Sequence, residues 1–152
     1  MRRKEKEIFD MAAICDIIDQ ASVCRLGMVD GDRPYIVPLC FGRRETALYF
    51  HGARKGLKID LIKANPNVCF EFDILAETLA DDAACKWSMA YKSVVGFGKA
   101  TLVESRQQKR DALAAIMAQY SDATYEFPAD KIEATAVIKV DIEQMTGKVS
   151  GF

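Results

Sequence analysis

The sequence is short of the residues and patterns that mark several common classes of protein. It has one histidine, one tryptophan and four prolines in 152 residues, and none of its cysteines forms a CxxC pair. The cysteines are Cys15, Cys24, Cys40, Cys69 and Cys85. Because they are odd in number and widely spaced, the sequence predicts neither a disulfide framework nor a zinc site, and no metal is expected. Unpaired thiols are typical of a cytoplasmic protein.

The chain also lacks a strong excess of charge and any long apolar run. Its formal net charge is -1, so no overall field favours nucleic acid or an anionic membrane. No segment approaches the roughly 20 apolar residues of a membrane span. The basic start, MRRKEKEIFD, is not followed by the hydrophobic stretch of a secretory signal. We therefore expect one domain over residues 1–152, with no nucleic-acid or membrane partner.

Hydrophobic periodicity predicts a mainly β chain with a few flanking helices. Strands are predicted at residues 23–30, 34–42, 47–51, 67–74, 91–105 and 134–148. An opening helix is expected to present one apolar face, formed by Ile8, Met11, Cys15 and Ile18. Ser105 is expected to cap a helix over 106–120, and 75–90 to be a loop with at most a short helical turn. About six strands joined largely by hairpins indicate an antiparallel barrel or curled sheet, not a doubly wound fold.

The segment YFHGARKGLKIDLIKANP, residues 49–66, joins a strand to a short helix through two glycines and several cations. The helix is predicted from about Leu57 to Ala64, where the following Asn-Pro pair ends it. Its first amides have no partners within the helix and its dipole is positive towards the loop. A phosphate held with Lys58 would suit both features. The alternative is that the lysines are ordinary solvated residues, namely Lys55, Lys58 and Lys63.

Four other residues each allow a functional and a structural interpretation. His51 could act in catalysis or could be a hydrogen-bonded residue at the end of a strand. Trp87 could stack on a flat ligand or cover the mouth of the barrel. Gly96 and Gly98 lie in GFGKAT, which fails as a dinucleotide fingerprint because it lies within a strand. Two glycines at strand spacing mark either a bulge or the close approach of a ligand or another backbone.

Three segments, taken together and in order, resemble a known family. They are PYIVPLCFG, LYFHGARKGLKIDLIKANPNVCFEFD and YKSVVGFGKATLVE. They are similar to the FMN-binding split-barrel family of pyridoxamine 5′-phosphate oxidase, and more closely to its nitroimidazole-resistance reductase branch. The resemblance implies a six-stranded antiparallel Greek-key split β-barrel. It also implies a homodimer with FMN in two clefts at the interface.

The resemblance implies a set of cofactor contacts. In the family a lysine at the position of Lys58 grips the FMN phosphate. Gly56 and Leu57 stand where the oxidases have serine and arginine, so backbone amides, Arg54 or Lys55, and the second motif are expected to compensate. Gly96 and Gly98 are expected to admit the flavin edge or the dimer partner. The complete set of expected cofactor contacts is Pro38, Leu39, Cys40, His51, Gly52, Ala53, Lys58, Lys92, Ser93 and Val94.

The function that the resemblance implies is an FMN-dependent oxidoreductase. NAD(P)H would reduce the flavin, and a small acceptor such as a nitroaromatic would be reduced in turn, with His51 as proton donor or substrate contact. Oxidation of pyridoxamine phosphate itself is not expected, because the end of the chain, EQMTGKVSGF, lacks the arginine and histidine used there. The alternative is a non-catalytic FMN- or haem-binding protein for storage or sensing, in which His51 would be the candidate iron ligand.

Overall fold

The fold is an antiparallel sheet flanked by helices, as seen in a computed structural model that describes residues 4–152. The strands in this range are β1 Glu7–Ile8, β2 Cys24–Asp30, β3 Arg33–Leu39, β4 Gly42–Arg44, β5 Ala47–Ala53, β6 Asn67–Leu79, β7 Ser88–Leu102 and β8 Thr135–Ser150. The helices are α1 Met11–Gln20, α2 Leu57–Ala64, α3 Arg106–Ala118 and α4 Ala129–Ala134. The prediction of a mainly β chain with flanking helices is confirmed. Six of the strands are long, and the short β1 and β4 raise the number to eight.

The sheet follows the order β3-β2-β6-β7-β8-β5-β4, and β1 pairs with β8. Within residues 4–152 no pairing joins β3 to β4, so the path of strands stays open at its two ends. The Asp-Gly hairpin predicted between β2 and β3 is present, with Gly31 at φ 64° in the turn. The last strand, β8, lies in the middle of the path between β7 and β5.

The core lies on the inner face of this sheet and is closed by α1. Its largest fully buried side chains include Phe41, Phe50, Phe70 and Phe72. Helix α1 contributes Ile14, Ile17 and Ile18. This face differs from the predicted one, since Met11 is 53% exposed and Ile8 lies in β1. The reason is that Asp10 caps α1 through the Ala12 amide, so the helix begins only at Met11.

The strand predicted at 34–42 is divided into β3 and β4. The division falls at Cys40 and Phe41, where the Phe41 side chain turns into the core and packs 4.7 Å from the Phe72 ring centroid. The Phe41 amide donates to the Tyr120 hydroxyl at 3.0 Å instead of to a neighbouring strand. A residue 79 positions away in sequence therefore ends the strand, which local periodicity could not indicate.

The prediction of a loop with a short helical turn over 75–90 is confirmed for residues 80–87 and wrong for the residues on either side of them. Strand β6 continues to Leu79 and β7 begins at Ser88, so both strands extend into a hairpin with a single 3-10 turn at Ala84–Lys86. We call residues 75–89 the β6–β7 arm. Its base has an irregular register between Ile74 and Glu77, where Leu75 adopts φ 56°. One extra residue in β6 forms this bulge and bends the arm.

Gly96 and Gly98 serve the packing of the sheet itself. A β-carbon on Gly96 would lie 2.2 Å from Phe70 Cζ, and one on Gly98 would lie 2.4 Å from the Asp141 carbonyl oxygen. The register of β7 and β8 also shifts between Phe97 and Gly98. The expectation that these glycines admit the flavin edge or a dimer partner is therefore replaced by the alternative of a bulge with close internal approach.

Candidate cofactor-binding groove

A groove opens where edge strand β3 passes the turn between β5 and α2. It has a volume of about 370 Å³, within the range of small-molecule sites. Its lining consists of Tyr35, Val37, Pro38, Leu39, Ala53, Lys55, Gly56, Leu57, Lys58 and Ile59. Because β3 starts the path of strands and β5 lies near its other end, the open sheet itself creates this groove.

Lys58 is the principal charge of the groove. Its ammonium Nζ lies over Gly52, so that a β-carbon built on Gly52 would be only 3.1 Å from it. The side chain is partly buried, and this burial lowers the pKa of Lys58 because a charged ammonium is poorly solvated there. No carboxylate among residues 4–152 forms an ion pair with it. The structure therefore holds a half-desolvated cation without a counter-ion from the described chain.

The N-terminus of α2 opens into the same groove. Gly56 caps the helix with φ 129° and has no side chain to accept a hydrogen bond from the first turn. The first hydrogen bonds within the helix run from the Ile59 and Asp60 amides to the Gly56 carbonyl oxygen. The Leu57 and Lys58 amides therefore have no acceptor within the helix. The predicted start of the helix at Leu57 and its end at Ala64 are confirmed.

These features fit an anionic group better than a neutral one. Amides at a helix start carry partial positive charge, and Lys58 adds a full charge beside them. An anion bound there would relieve the desolvation of Lys58 and satisfy the uncapped amides at once. The phosphate of a cofactor such as FMN suits this chemistry, while Pro38, Leu39 and Ala53 offer an apolar wall beside it.

The groove brings together part of the predicted cofactor set. Pro38, Leu39, Ala53 and Lys58 line it, and Gly52 lies beneath the Lys58 ammonium. Cys40 is exposed and directly follows Leu39. His51 is also exposed, one strand step from Gly52, but it is not part of the lining. Gly52 and Ala53, the last two residues of β5, thus lie at the same groove as the end of β3.

The remaining predicted residues, Lys92, Ser93 and Val94, lie elsewhere in the same chain. Lys92 pairs with Val149 near the end of β8, whereas His51 pairs with Val137 near its start. Twelve residues of β8 separate these positions, and across the sheet Val95 of β7 lies three strands from Pro38. The Val94 side chain is fully buried in the core, so it presents no surface to a ligand. None of the three residues lines the groove of its own chain.

Sequence reasoning missed three residues that line the groove, namely Tyr35, Val37 and Ile59. A signal was present in β3, where half-buried residues alternate with exposed ones. Pro34 and Pro38 occupy exposed positions of that strand and lack the amide of a central strand, so they mark β3 as an edge. An edge strand with an alternating half-buried face is open to a ligand on one side.

Two further properties bear on what the chain can bind. In the part of the chain that the structure describes, no three His, Cys, Asp or Glu side chains gather as they would around a metal ion. Of the helices between residues 4 and 152, none combines the length and apolar character needed to cross a bilayer. The expectation of a metal-free site remains a prediction.

Comparison with solved structures finds several similar folds. A candidate 5-nitroimidazole antibiotic resistance protein from Bacteroides thetaiotaomicron is 35% identical, with a TM-score of 0.85 over 94% of this chain and 86% of that one. The flavocytochrome Anf3 of Azotobacter vinelandii is 21% identical, with a TM-score of 0.88 over 100% of this chain and 72% of that one. An FAD- and haem-binding protein of Mycobacterium smegmatis is 18% identical, with a TM-score of 0.88 over 97% and 74%. The last two show the fold alone.

The sequence comparisons place the chain in a family. Among curated proteins no significant match was found. The family described as pyridoxamine 5′-phosphate oxidase, by contrast, matches residues 10–149, nearly the whole chain. The match includes the groove, the β6–β7 arm and β8, and the 35% identical structure agrees with it. The chain belongs to the pyridoxamine 5′-phosphate oxidase family.

Proposed function

We propose that the protein is an FMN-dependent oxidoreductase that uses NAD(P)H to reduce small oxidised molecules, nitroaromatics among them. The observation that carries this proposal is the Lys58 ammonium, partly buried over Gly52 and beside the uncapped start of α2. A cation in that position needs an anion from outside the described chain. The phosphate of FMN supplies one, and family membership supports the choice of a flavin.

Each part of the groove has a role in this proposal. Lys58 and the first amides of α2 hold the phosphate, and Arg54 or Lys55 adds charge at the rim. Pro38, Leu39 and Ala53 pack against the ring system and exclude water from one of its faces. When bound, FMN would supply the two-electron transfer itself. His51, exposed beside this wall, would donate a proton to the substrate, a role that a positioned imidazole can take as a general acid.

The proposal includes a homodimer. Lys92 and Ser93 do not line the groove of their own chain, and in the proposed assembly they reach the ligand from a second copy. In such an assembly β2, β3, β5, β6, β7 and β8 would form the six-stranded split barrel expected for the family. The five free thiols suit a cytoplasmic setting for this dimer.

The nitroaromatic substrate class is supported by the 35% identical Bacteroides protein, whose name refers to 5-nitroimidazole resistance. A second candidate is a non-catalytic flavin- or haem-binding protein. It is favoured by the names of the flavocytochrome and of the FAD- and haem-binding protein, and by the exposure of the single histidine, His51, as a possible iron ligand. The two candidates differ in whether a bound flavin turns over.

The proposal is tested by titrating the purified protein with FMN and with riboflavin, which lacks the phosphate. We expect tight FMN binding and weaker riboflavin binding, followed by bleaching of the flavin absorbance with NADH or NADPH and its return on adding a nitroimidazole. Equal affinity for both flavins would show that the phosphate contributes nothing to binding and would contradict its placement beside Lys58. FMN binding without bleaching by either nucleotide would favour the storage protein, and a haem absorbance band that His51→Ala abolishes would favour the haem protein.

A further inference from the structure

The β6–β7 arm carries apolar side chains that its own chain leaves exposed. Leu75 is 56% exposed, Trp87 56% and Met89 44%. Leu79 pairs with Ser88 and lies on the opposite face of the arm from Met89, towards Gly151 of its own chain. These side chains are gathered on one two-stranded extension beyond the body of the sheet. The single tryptophan is held in place there, because its Nε1–H donates to the Asp81 carbonyl oxygen at 2.5 Å. An indole fixed in an exposed position is prepared for a contact.

The bend at the base of the arm also involves strain. Leu75 is one of two non-glycine residues among residues 4–152 with positive φ, a conformation that is strained for leucine because of its β-carbon. Its side chain gains little burial in return, since it is 56% exposed. Strain of this kind persists where the bent backbone has a use. The bend at Leu75 would direct the arm away from the sheet of its own chain.

The charges of the arm are opposite to those of the β5–α2 segment, residues 47–64, of whose cations Lys55 and Lys58 line the groove. The arm carries the carboxylates Glu77, Asp81 and Asp82 against the one cation Lys86. The β5–α2 segment carries four cations against the carboxylate Asp60, namely Arg54, Lys55, Lys58 and Lys63. Within residues 4–152 none of these carboxylates or cations forms an ion pair with any other part of the chain. Both surfaces are therefore free to pair with each other between two molecules.

The position of the arm agrees with this pairing. Strand β7 begins at Ser88, directly after Trp87, and continues to Lys92 and Ser93, the residues that the proposed function assigns to the groove of a second copy. Five residues of strand, about 17 Å, join Trp87 to Lys92. A second copy that brings Lys92 to the groove therefore also brings its arm to the rim.

We propose that the β6–β7 arm of one copy lies across the groove of a second copy, with its carboxylates on Arg54 and Lys55 and Trp87 over the open side. The arm completes the groove, and Trp87 offers an indole face to a planar aromatic acceptor. Lys58 stays directed inwards, over Gly52, and is left to the anion. The inference rests on the proposed homodimer and adds a specificity-determining residue, Trp87, to the proposed site.

The test uses the fluorescence of Trp87, the sole tryptophan, in the full chain without added flavin. An arm variant, Glu77→Lys/Asp82→Lys, and a groove variant, Arg54→Glu/Lys55→Glu, are each measured for acrylamide quenching and for dimer content by sedimentation. All four residues are exposed, so the fold should survive, and circular dichroism checks this. A control charge reversal at two exposed carboxylates after α3, Asp122→Lys/Glu126→Lys, should leave quenching as in the wild type.

We expect Trp87 to be shielded from acrylamide in the wild type at concentrations where it is dimeric, and to become several-fold more accessible on dilution. Each charge-reversed variant alone should show an accessible Trp87. Mixing the two variants should restore the shielding, because in the mixed dimer every arm meets a groove of opposite charge.

Shielding that is independent of protein concentration and is not restored by mixing would show an arm lying on its own chain, and would overturn the inference. A dimer with an accessible Trp87 would overturn it as well. Neither result depends on flavin, so the outcome is separate from that of the FMN titration. If the inference holds, Trp87→Ala in the flavin-loaded enzyme should raise KM for a nitroaromatic while the affinity for FMN stays nearly unchanged.

Discussion

Two cations of this protein show how differently a chain can treat a positive charge. Arg25, on β2, donates to Glu71 at 3.0 Å and also to Asp73, both on the neighbouring strand β6. Lys58, on α2, has no carboxylate partner among the described residues and lies over the backbone of Gly52. Arg25 has its counter-charges supplied by the fold, whereas the counter-charge of Lys58 has to come from elsewhere.

The pKa shifts of the two residues have opposite signs. The charge of Asp73, followed by the hydrogen bond to Glu71, raises the pKa of Arg25. Burial lowers the pKa of Lys58. The first charge is stabilised in the folded chain and the second is destabilised by it. A fold keeps a destabilised cation where function requires it, so this difference separates a structural charge from a candidate binding charge.

Lys58→Met should have the largest effect on ligand binding. It removes the charged partner of the phosphate, and hydrogen bonds to charged groups are worth about 1.5–3 kcal/mol, so FMN should bind roughly 10- to 100-fold more weakly. Riboflavin should bind as it does to the wild type. Lys63→Met is the matched control, because Lys63 lies on the same helix but outside the groove. Isothermal titration of both flavins measures the difference, and an equal loss for riboflavin would contradict it.

Gly52→Ala should weaken FMN binding by a smaller factor, a few-fold. The new methyl group would lie 3.1 Å from the Lys58 ammonium and would displace it from its place over β5. Lysine is flexible enough to move, so the loss is only partial. Gly27→Ala is the control, since its β-carbon would be at an ordinary 3.5 Å from the nearest atom, the Cys69 carbonyl oxygen. An FMN affinity equal to that of the Gly27→Ala control would indicate that the position of the Lys58 ammonium does not matter for phosphate binding.

Neutralising the two cations should change the stability of the flavin-free protein in opposite directions. Arg25→Met leaves Glu71 and Asp73 side by side and should lower the free energy of unfolding by about 1 kcal/mol, as expected for an exposed ion pair. The loss should shrink in acid, where the carboxylates become protonated. Lys58→Met removes a desolvated charge and should raise the stability slightly. Urea denaturation of both variants measures the sign of each change in the free energy of unfolding. A loss of stability in both variants would contradict the contrast between the two cations.

The smallest effect should be a pH dependence. Because the pKa of Lys58 is lowered in the folded chain, the unfolded chain binds the proton more tightly, and the flavin-free protein should gain stability as the pH rises from the lowered value to the ordinary one. FMN affinity should fall over the same alkaline range, since the cation is lost. Riboflavin, which has the same ring system but no phosphate, is titrated over the same pH range and corrects the FMN affinities for ionisation of the ring. Lys58→Arg should remove the decline, and a decline that persists in this variant would assign it to another group.

The sequence predicts the local part of the site well. Gly56, the start of α2 at Leu57 and its end at Ala64 follow from glycine, proline and helix-dipole chemistry acting within a few residues. The hairpin at Gly31 and the cap at Ser105, which accepts from the Gln108 amide, are equally local. These signals need no knowledge of the rest of the fold.

The errors concern features that distant residues determine. The division between β3 and β4 depends on Tyr120, and the arm depends on how β6 pairs with β7 beyond the bulge at Leu75. The alanine- and aspartate-rich arm has little strand propensity of its own, so pairing overrides it. The distance between Lys92 and His51 follows from the register of β8, which sequence periodicity does not contain. The roles of the predicted site residues remain predictions.

The place of β8 also determines the order in which the molecule can be built. This strand follows every other described element in the chain, yet it lies between β7 and β5 and pairs with β1 as well. A chain emerging from the ribosome can pair β3, β2, β6 and β7, but β5 and β4 cannot join that sheet until residues 135–150 are made. Such late, long-range pairing is slow and leaves strand edges exposed. The proposed binding of FMN and the proposed dimer would then form only after β8 has been made.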